Sequence, residues 1–321
     1  MLLRKVLIAA LLLPMAPVAY ADITGIDLST YRITRTMNIG AFMQQNGSES
    51  SAITYNWNTR TLFVVDDEGV AVTQITKSGG FVNRMNLTGF QPASLGDPEG
   101  LTYIGRNPAG QDQFVIAAER SRTLYQFAFS AGTTIDRTAM PRAVLGTQLG
   151  NIGIEGVSYD PRDGSFVTVK EKTPQEVNRN VVTFGTSTTI QPGTTLFNPD
   201  LLLGVLDLAD VQVLSTVPGL LGTPFANHLL LFSQETPSLL HTDRLGNVLG
   251  RFSFAGLTTT AEGVTIDEDG VIYVVEEGTN SNPRIFVLEP TVVPVPGALA
   301  LMLSGLALLG WVQRRRGPSV A

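Results

Sequence analysis

DPEGLTYIGRNPAGQDQFVIAAER, residues Asp97–Arg120, holds a Glu-Gly pair, a short apolar strand, a Gly/Asn/Pro turn and a second apolar strand ending on Glu119. The same order returns at Ile154–Lys172 (IEGVSYDPRDGSFVTVKEK) and at Ala261–Gly278 (AEGVTIDEDGVIYVVEEG). A β-hairpin written three times at a long period is the mark of a repeat architecture. Glu99 and Glu155 lie 56 residues apart, while Glu155 and Glu262 lie 107 apart, which is room for two units of about 54. The degenerate unit between them has Leu208-Ala209-Asp210-Val211 in place of the Glu-Gly opening, and His228–Gln234 (HLLLFSQ), followed by Glu235, as its second strand. A fifth unit comes first: Ser50–Gly69, SSAITYNWNTRTLFVVDDEG, has Ser51-Ala52 where the others have Glu-Gly.

Units of this length are too long for a single hairpin and fit four strands. Thr123–Phe129, Leu239–Asp243 and Arg284–Leu288 follow the hairpins as further strands. Four-stranded units repeated about a centre are propeller blades, so the expectation is all-β: a β-propeller of five blades, each of four antiparallel strands. The innermost strands should start near Ser51, Glu99, Glu155, Leu208 and Glu262. Asp22–Phe42 reads as an entry strand that completes the last blade and closes the ring, which protects the sheet edges. Thr173–Asp200, the least patterned stretch, reads as an insertion on one face. The body has no Pro/Ser linker, so residues 22–291 are taken as one domain.

The ends carry different signals. Residues 1–21 have Arg4 and Lys5, an apolar run over Val6–Leu13, and Ala19-Tyr20-Ala21, the layout of a cleavable secretory signal. In residues 292–321, Val293-Pro294-Val295-Pro296 leads into Gly297–Val312, sixteen uncharged residues, and then Arg314-Arg315-Arg316. That run is short for a spanning helix, which needs about 20 residues, and the arginines should stay on the cytoplasmic side. Proline motif, apolar stretch and Arg cluster in this order resemble PEP-CTERM sorting tails in a VPxP variant. The resemblance implies recognition by exosortase-type machinery and removal of the tail; a plain C-terminal membrane anchor is the alternative. The chain is therefore expected to be exported to the periplasm, envelope or outside.

Composition narrows the partners. Outside the two ends the body holds 17 basic against 28 acidic residues, a net charge of −11. Such a balance argues against nucleic acid or anionic lipid as a partner and favours a cation. There is no Cys, and His228 and His241 are the only histidines. No G-x-S-x-G elbow, Walker loop or strand-linked G-x-G-x-x-G is present, so nucleophilic and nucleotide chemistry find no motif.

The Glu-Gly pairs carry the chemical argument. At the start of innermost strands, Glu99, Glu155 and Glu262 would form a partial ring at one mouth of the channel. The second strands end on Glu119, Glu171 and Glu276, a weaker outer ring. Crowded carboxylates repel unless a cation or a shared proton relieves them, and an all-oxygen site of this width suits Ca²⁺, which accepts 6–8 ligands. Gly100, Gly156 and Gly263 allow close backbone approach or an unusual dihedral at the same place. Strand-initial glutamates can also cap backbone N–H groups between blades, or do acid-base chemistry, and the residues alone leave all three roles open.

DPEGLTYIG…QFVIAAER, GIEGVSYDP…VTVKEK, LFNPD…DLADV and AEGVTIDEDGVIYVVEE together resemble the SdiA-regulated (YjiK/CarP) family of bacterial envelope β-propellers, over about Ile53–Leu288. The resemblance implies a propeller on the periplasmic or outer side of the membrane and a link to calcium response. Two features depart from the family pattern: signal and sorting tail replace an N-terminal anchor, and Ser51 stands where a five-membered acidic ring would need a carboxylate.

Three readings follow. The first is an exported, calcium-associated binding or scaffold module with an exopolysaccharide or envelope partner. The second is a phytase-like, calcium-dependent phosphoester hydrolase, for which Arg120, Lys170 and Lys172 beside the acidic strand ends would hold phosphate. The third is a purely structural matrix protein. Fold alone does not choose among them.

Overall fold

The computed structural model describes residues 23–43, 49–66, 71–91, 96–278 and 282–291. The signal-like start and the C-terminal tail lie outside these residues.

Strand β1 (Tyr31–Asn38) comes first and finds its partner at the other end of the chain. Blade one follows as β2 (Ser50–Asn56), β3 (Thr61–Asp66), β4 (Ala71–Thr76) and β5 (Phe81–Thr88). Blade two contains β6 (Pro98–Arg106), β7 (Asp112–Ala118) and β8 (Thr123–Ala128); β9 (Thr134–Asp136) then leaves it, and β10 (Arg142–Val144) returns as its fourth strand. Blade three is β11 (Ile154–Asp160), β12 (Ser165–Lys170), β13 (Glu176–Asn180) and β14 (Thr194–Phe197). Blade four is β15 (Asp210–Val213), β16 (Leu229–Ser233), β17 (Ser238–Thr242) and β18 (Val248–Ser253). In blade five, β19 (Ala261–Ile266), β20 (Ile272–Glu276) and β21 (Arg284–Pro290) are completed by β1, in register from Tyr31↔Pro290 to Asn38↔Arg284. The ring thus closes through the entry strand, as its place in the sequence predicts.

Three details differ from the sequence reading. Thr173–Asp200 is no insertion: it supplies β13 and β14, which place Val177 and Phe197 in the core. Those strands are short and largely polar, because an outer blade position buries few side chains, so they lack a strand's usual signature. The innermost strand of blade four starts at Asp210, two residues after Leu208. Blade one gains a fifth strand, as β9 pairs parallel to β5 from the blade-two connection and ties the two blades together.

Five apolar clusters fill the five gaps between neighbouring blades. Alternate residues of one strand serve opposite gaps: in β16, Leu230 and Phe232 face blade five, while Leu229 and Leu231 face blade three. Middle strands are therefore apolar on both faces and read as continuous runs such as LLLF rather than as alternation.

A second device closes the centre. Thr54 Oγ1 accepts from Tyr103 N–H at 3.2 Å, Thr102 Oγ1 from Tyr159 N–H at 3.0 Å, and Ser158 Oγ from Val213 N–H at 3.0 Å. Thr265 Oγ1–H donates to Gln212 Oε1 at 2.9 Å and itself accepts from Tyr55 N–H at 3.0 Å. Each blade thus hands one side-chain bond to the next, and the fifth returns to the first. Ser158→Ala is expected to cost about 1–3 kcal/mol, because it strands the buried N–H of Val213. A urea midpoint equal to that of the parent would show that this ring contributes nothing.

Candidate functional site

Each signature glutamate is the extra residue of a β-bulge. In β6, Pro98 pairs with Ala118 and Gly100 with Ala117, which leaves Glu99 outside the ladder. Glu155 in β11 and Glu262 in β19 are skipped in the same way, as is Ser51 in β2. A bulge re-aims the residue it expels, and here it turns the carboxylates of Glu99, Glu155 and Glu262 into one cavity at the channel mouth. The β15–β16 pair of blade four has no bulge, and Ala209 occupies that blade's share of the wall.

The cavity measures about 340 Å³. Its walls carry nine carboxylates: Glu49, Asp97, Glu99, Glu119, Glu155, Glu171, Asp207, Glu262 and Glu277. Among the described residues Arg120 is the one cation that lines it. Five of the six glutamates expected from the sequence meet there. Glu276 does not: it pairs with Ala261 across the ladder, and its buried side chain is held by Arg284. Glu277, one residue on, stands where Glu119 and Glu171 stand in their blades, since all three directly follow the second-strand residue that pairs with the strand start. The choice between adjacent glutamates was a one-residue register problem, which the sequence VVEEG leaves undecided. Asp97 and Asp207 were missed as well. Asp97 takes a positive φ of 65° before Pro98, and Asp207 collects Ser233 Oγ–H, Gln234 N–H and Glu235 N–H at 2.5, 3.1 and 2.9 Å.

Electrostatics at the mouth follow from this crowding. Burial, and then the negative charges of Glu99, Glu119, Glu262 and Glu171, push the Glu155 carboxyl well above the usual glutamate range. Burial also raises Glu119, against the hydrogen bonds it makes with Gly153 N–H (2.9 Å) and with Glu155. Glu277 is raised by burial and by Glu49, and a hydrogen bond with Glu262 opposes the shift. Gln234 Nε2 donates to Glu262 Oε1 at 2.8 Å. Glu119, Glu155 and Glu171 each offer an oxygen within 4.8 Å of the others. Two ligands of one Ca²⁺ at 2.3–2.6 Å are at most about 5 Å apart, so one ion can reach all three.

A second acidic group, Asp267-Glu268-Asp269, lies in the β19–β20 turn at the far end of the channel. Lys77 Nζ already sits among its oxygens, 2.6, 3.7 and 3.0 Å away. That cluster is compensated by the protein itself.

The basic residues expected to hold phosphate are differently placed. Lys170 Nζ is turned into the backbone, donating to the carbonyls of Lys172 and Pro174. Lys172 Nζ bridges Glu171 and Glu235 at 2.6 and 2.8 Å, and Arg120 Nε meets Asp97 at 2.6 Å. His228 Nδ1 and His241 Nε2 are 2.9 Å apart and packed by Phe225, away from the cavity.

A family model described as SdiA-regulated matches residues 26–287 of the chain. Among solved structures, the luciferin-regenerating enzyme is 9% identical over 80% of this chain and 96% of its own, with a TM-score of 0.48. The β-propeller domain of Cps50 (Swd1) from Myceliophteria thermophila is 10% identical over 77% of this chain and 68% of its own, with a TM-score of 0.37.

Proposed function

The chain belongs to the SdiA-regulated family, and from that premise and the carboxylate cavity we propose that it is an exported binding module whose channel mouth holds a divalent cation, calcium by chemistry. The single observation behind this reading is the cavity wall: nine carboxylates face one arginine around about 340 Å³. Left bare, burial and those charges raise the Glu155 and Glu119 carboxyls above the usual glutamate range. A bound cation relieves them. The donors are all oxygen, with no sulfur or imidazole, which favours a hard ion, and the width favours one that accepts 6–8 ligands.

At an open mouth the protein need not fill the whole coordination sphere. Carboxylates of an acidic polymer, such as an exopolysaccharide, would complete it, so the ion would bridge propeller and envelope matrix. Export by the N-terminal signal and sorting by the tail belong to the same reading. The hydrolase alternative has less support, since Lys170 is turned into the backbone, Lys172 is held by Glu171 and Glu235, and Arg120 is paired with Asp97.

The test is the thermal midpoint of chelator-stripped protein with added calcium, alongside its metal content. Binding to the folded state alone contributes about 2.7 kcal/mol at a hundredfold excess over Kd. For a domain of this size that is a rise of roughly 5–10 °C. A midpoint indifferent to calcium and to chelator would sink the reading.

A further inference from the structure

Among the described residues, five of the eleven exposed large apolar side chains gather at one place. Leu201 (80% exposed) and Leu202 (48%) lie in the short helix Pro199–Leu202, while Leu245 (72%), Val248 (39%) and Leu249 (51%) lie in the β17–β18 turn and on β18. The two groups adjoin, since Leu202 Cδ1 comes within 2.6 Å of where a Cβ on Gly246 would sit. Single exposed leucines need no explanation. A run of them along the outermost strand of a blade, with its backbone edge unpaired in the sheet, does.

The rim lies at the end of the channel away from the acidic mouth. β17 starts beside Gln234, which lines the mouth, so its last residue, Thr242, and the paired Val248 are at the far end. The chain leaves the propeller at the same end. Thr291 N–H donates to Thr30 O at 2.8 Å, and Leu28 of that turn packs over Gly250 of β18. Gly297, the first of the sixteen uncharged residues of the tail, comes six positions after Thr291. Six extended steps span at most ~20 Å. The uncharged run therefore begins within that reach of Thr291, at the end of the propeller that carries the leucine rim.

We propose that Leu201, Leu202, Leu245, Val248 and Leu249 rest in the surface layer of the bilayer that receives the tail, so that the acidic mouth faces away from the membrane. Leucines suit that layer, where an apolar face sinks to the headgroup–acyl boundary. Arg32 on β1 is exposed at the same end and suits the headgroups, against the exposed Asp27 and Asp200. The orientation would present a cation-loaded mouth to partners outside and keep its negative charge off the lipid. This inference rests on reading Gly297–Val312 as lipid-inserting; it does not depend on calcium.

The chain has no Cys, so single-cysteine variants label cleanly. Leu245→Cys and Leu249→Cys probe the rim. Leu257→Cys is the control, a leucine of similar exposure (49%) in the loop at the mouth end of the same blade. Each full-length variant, carrying an environment-sensitive fluorophore, is mixed with phosphatidylcholine–phosphatidylglycerol vesicles. The expected result is a blue shift at 245 and 249, with quenching by nitroxide lipids several-fold stronger than at 257. Equal, water-like signals at all three sites would overturn the proposal. A blue shift without nitroxide quenching would overturn it in favour of the tail or a second copy covering the rim. Failure of the full chain to float with the vesicles would overturn it together with the reading of the tail, and leave the calcium test untouched.

Discussion

With Glu99, Glu155 and Glu262 all replaced by Gln, calcium is expected to stop raising the thermal midpoint. The parent should gain roughly 5–10 °C from saturating calcium, as the linkage between binding and folding requires. The triple variant should gain almost nothing, because Gln keeps the size and hydrogen bonding of Glu but removes three of the nine negative charges around the cavity. Its calcium-free midpoint should equal or exceed that of the parent, since Glu155 and two of the charges that crowd it, those of Glu99 and Glu262, are gone. A capping role predicts the reverse: stability lost with or without calcium, and a parent that ignores the ion. Only the first pattern makes these residues ligands.

The same experiment has a pH axis. Glu155, Glu119 and Glu277 are raised in the folded state. A raised carboxyl favours the fold while protonated, so without calcium this contribution is full below the ordinary glutamate range and is lost as pH climbs through the raised folded values. Calcium needs the deprotonated oxygens, so its effect on the midpoint should grow over that climb. Replacement by Gln should flatten both trends. It cannot abolish the first, because Glu119, Glu277 and Asp210, all raised by burial, remain.

The blade count was legible because the Glu-Gly hairpin recurs at a fixed period, and that period survives even where Ala209-Asp210 replaces Glu-Gly. The convergence of Glu99, Glu155 and Glu262 was legible for the same reason: equivalent places in a closed ring face one axis. Local register was not. Whether Glu276 or Glu277 enters the mouth depends on the bulge at Glu262, which shifts pairing by one residue and so exchanges the two faces of the strand. The outer strands of blade three were hidden as well, because EVNRN and TTLF owe their strand form to tertiary pairing with β12 rather than to their own pattern. The inter-blade ring of Thr54, Thr102, Ser158, Gln212 and Thr265 sits three residues after each signature position. It could have been read as a repeat of polar residues inside apolar strands.

The glycine of each pair allows a sharper statement than the sequence alone permitted, and Gly156→Ala is expected to be among the most destabilising single-methyl changes in the chain. None of Gly100, Gly156 and Gly263 takes a positive φ, so dihedral freedom is not the reason for glycine. Close approach is. A Cβ on Gly156 would lie 2.5 Å from Asp210 Oδ1 and 2.6 Å from its Cα; on Gly100, 2.9 Å from Val157 N; on Gly263, 2.9 Å from Ala52 Cα. Innermost strands of successive blades therefore touch at this residue, and the ring closes only if the contact is thin. The obstacle at Gly156 includes backbone, which cannot swing aside, and it would also disturb the Asp210 carboxylate that accepts from Val264 N–H at 2.8 Å. Overpacking of this kind costs about 3 kcal/mol or more, a fall in midpoint of roughly 6–12 °C. Gly150→Ala is the control: nothing lies within 4 Å of its Cβ position, and its φ is not positive, so its midpoint should hold or rise slightly. Because Glu155 precedes Gly156, the wedge should spread the mouth as well and weaken the calcium response beyond what the loss of stability explains. If Gly156→Ala behaves like Gly150→Ala, the glycine is not the point at which the blades meet.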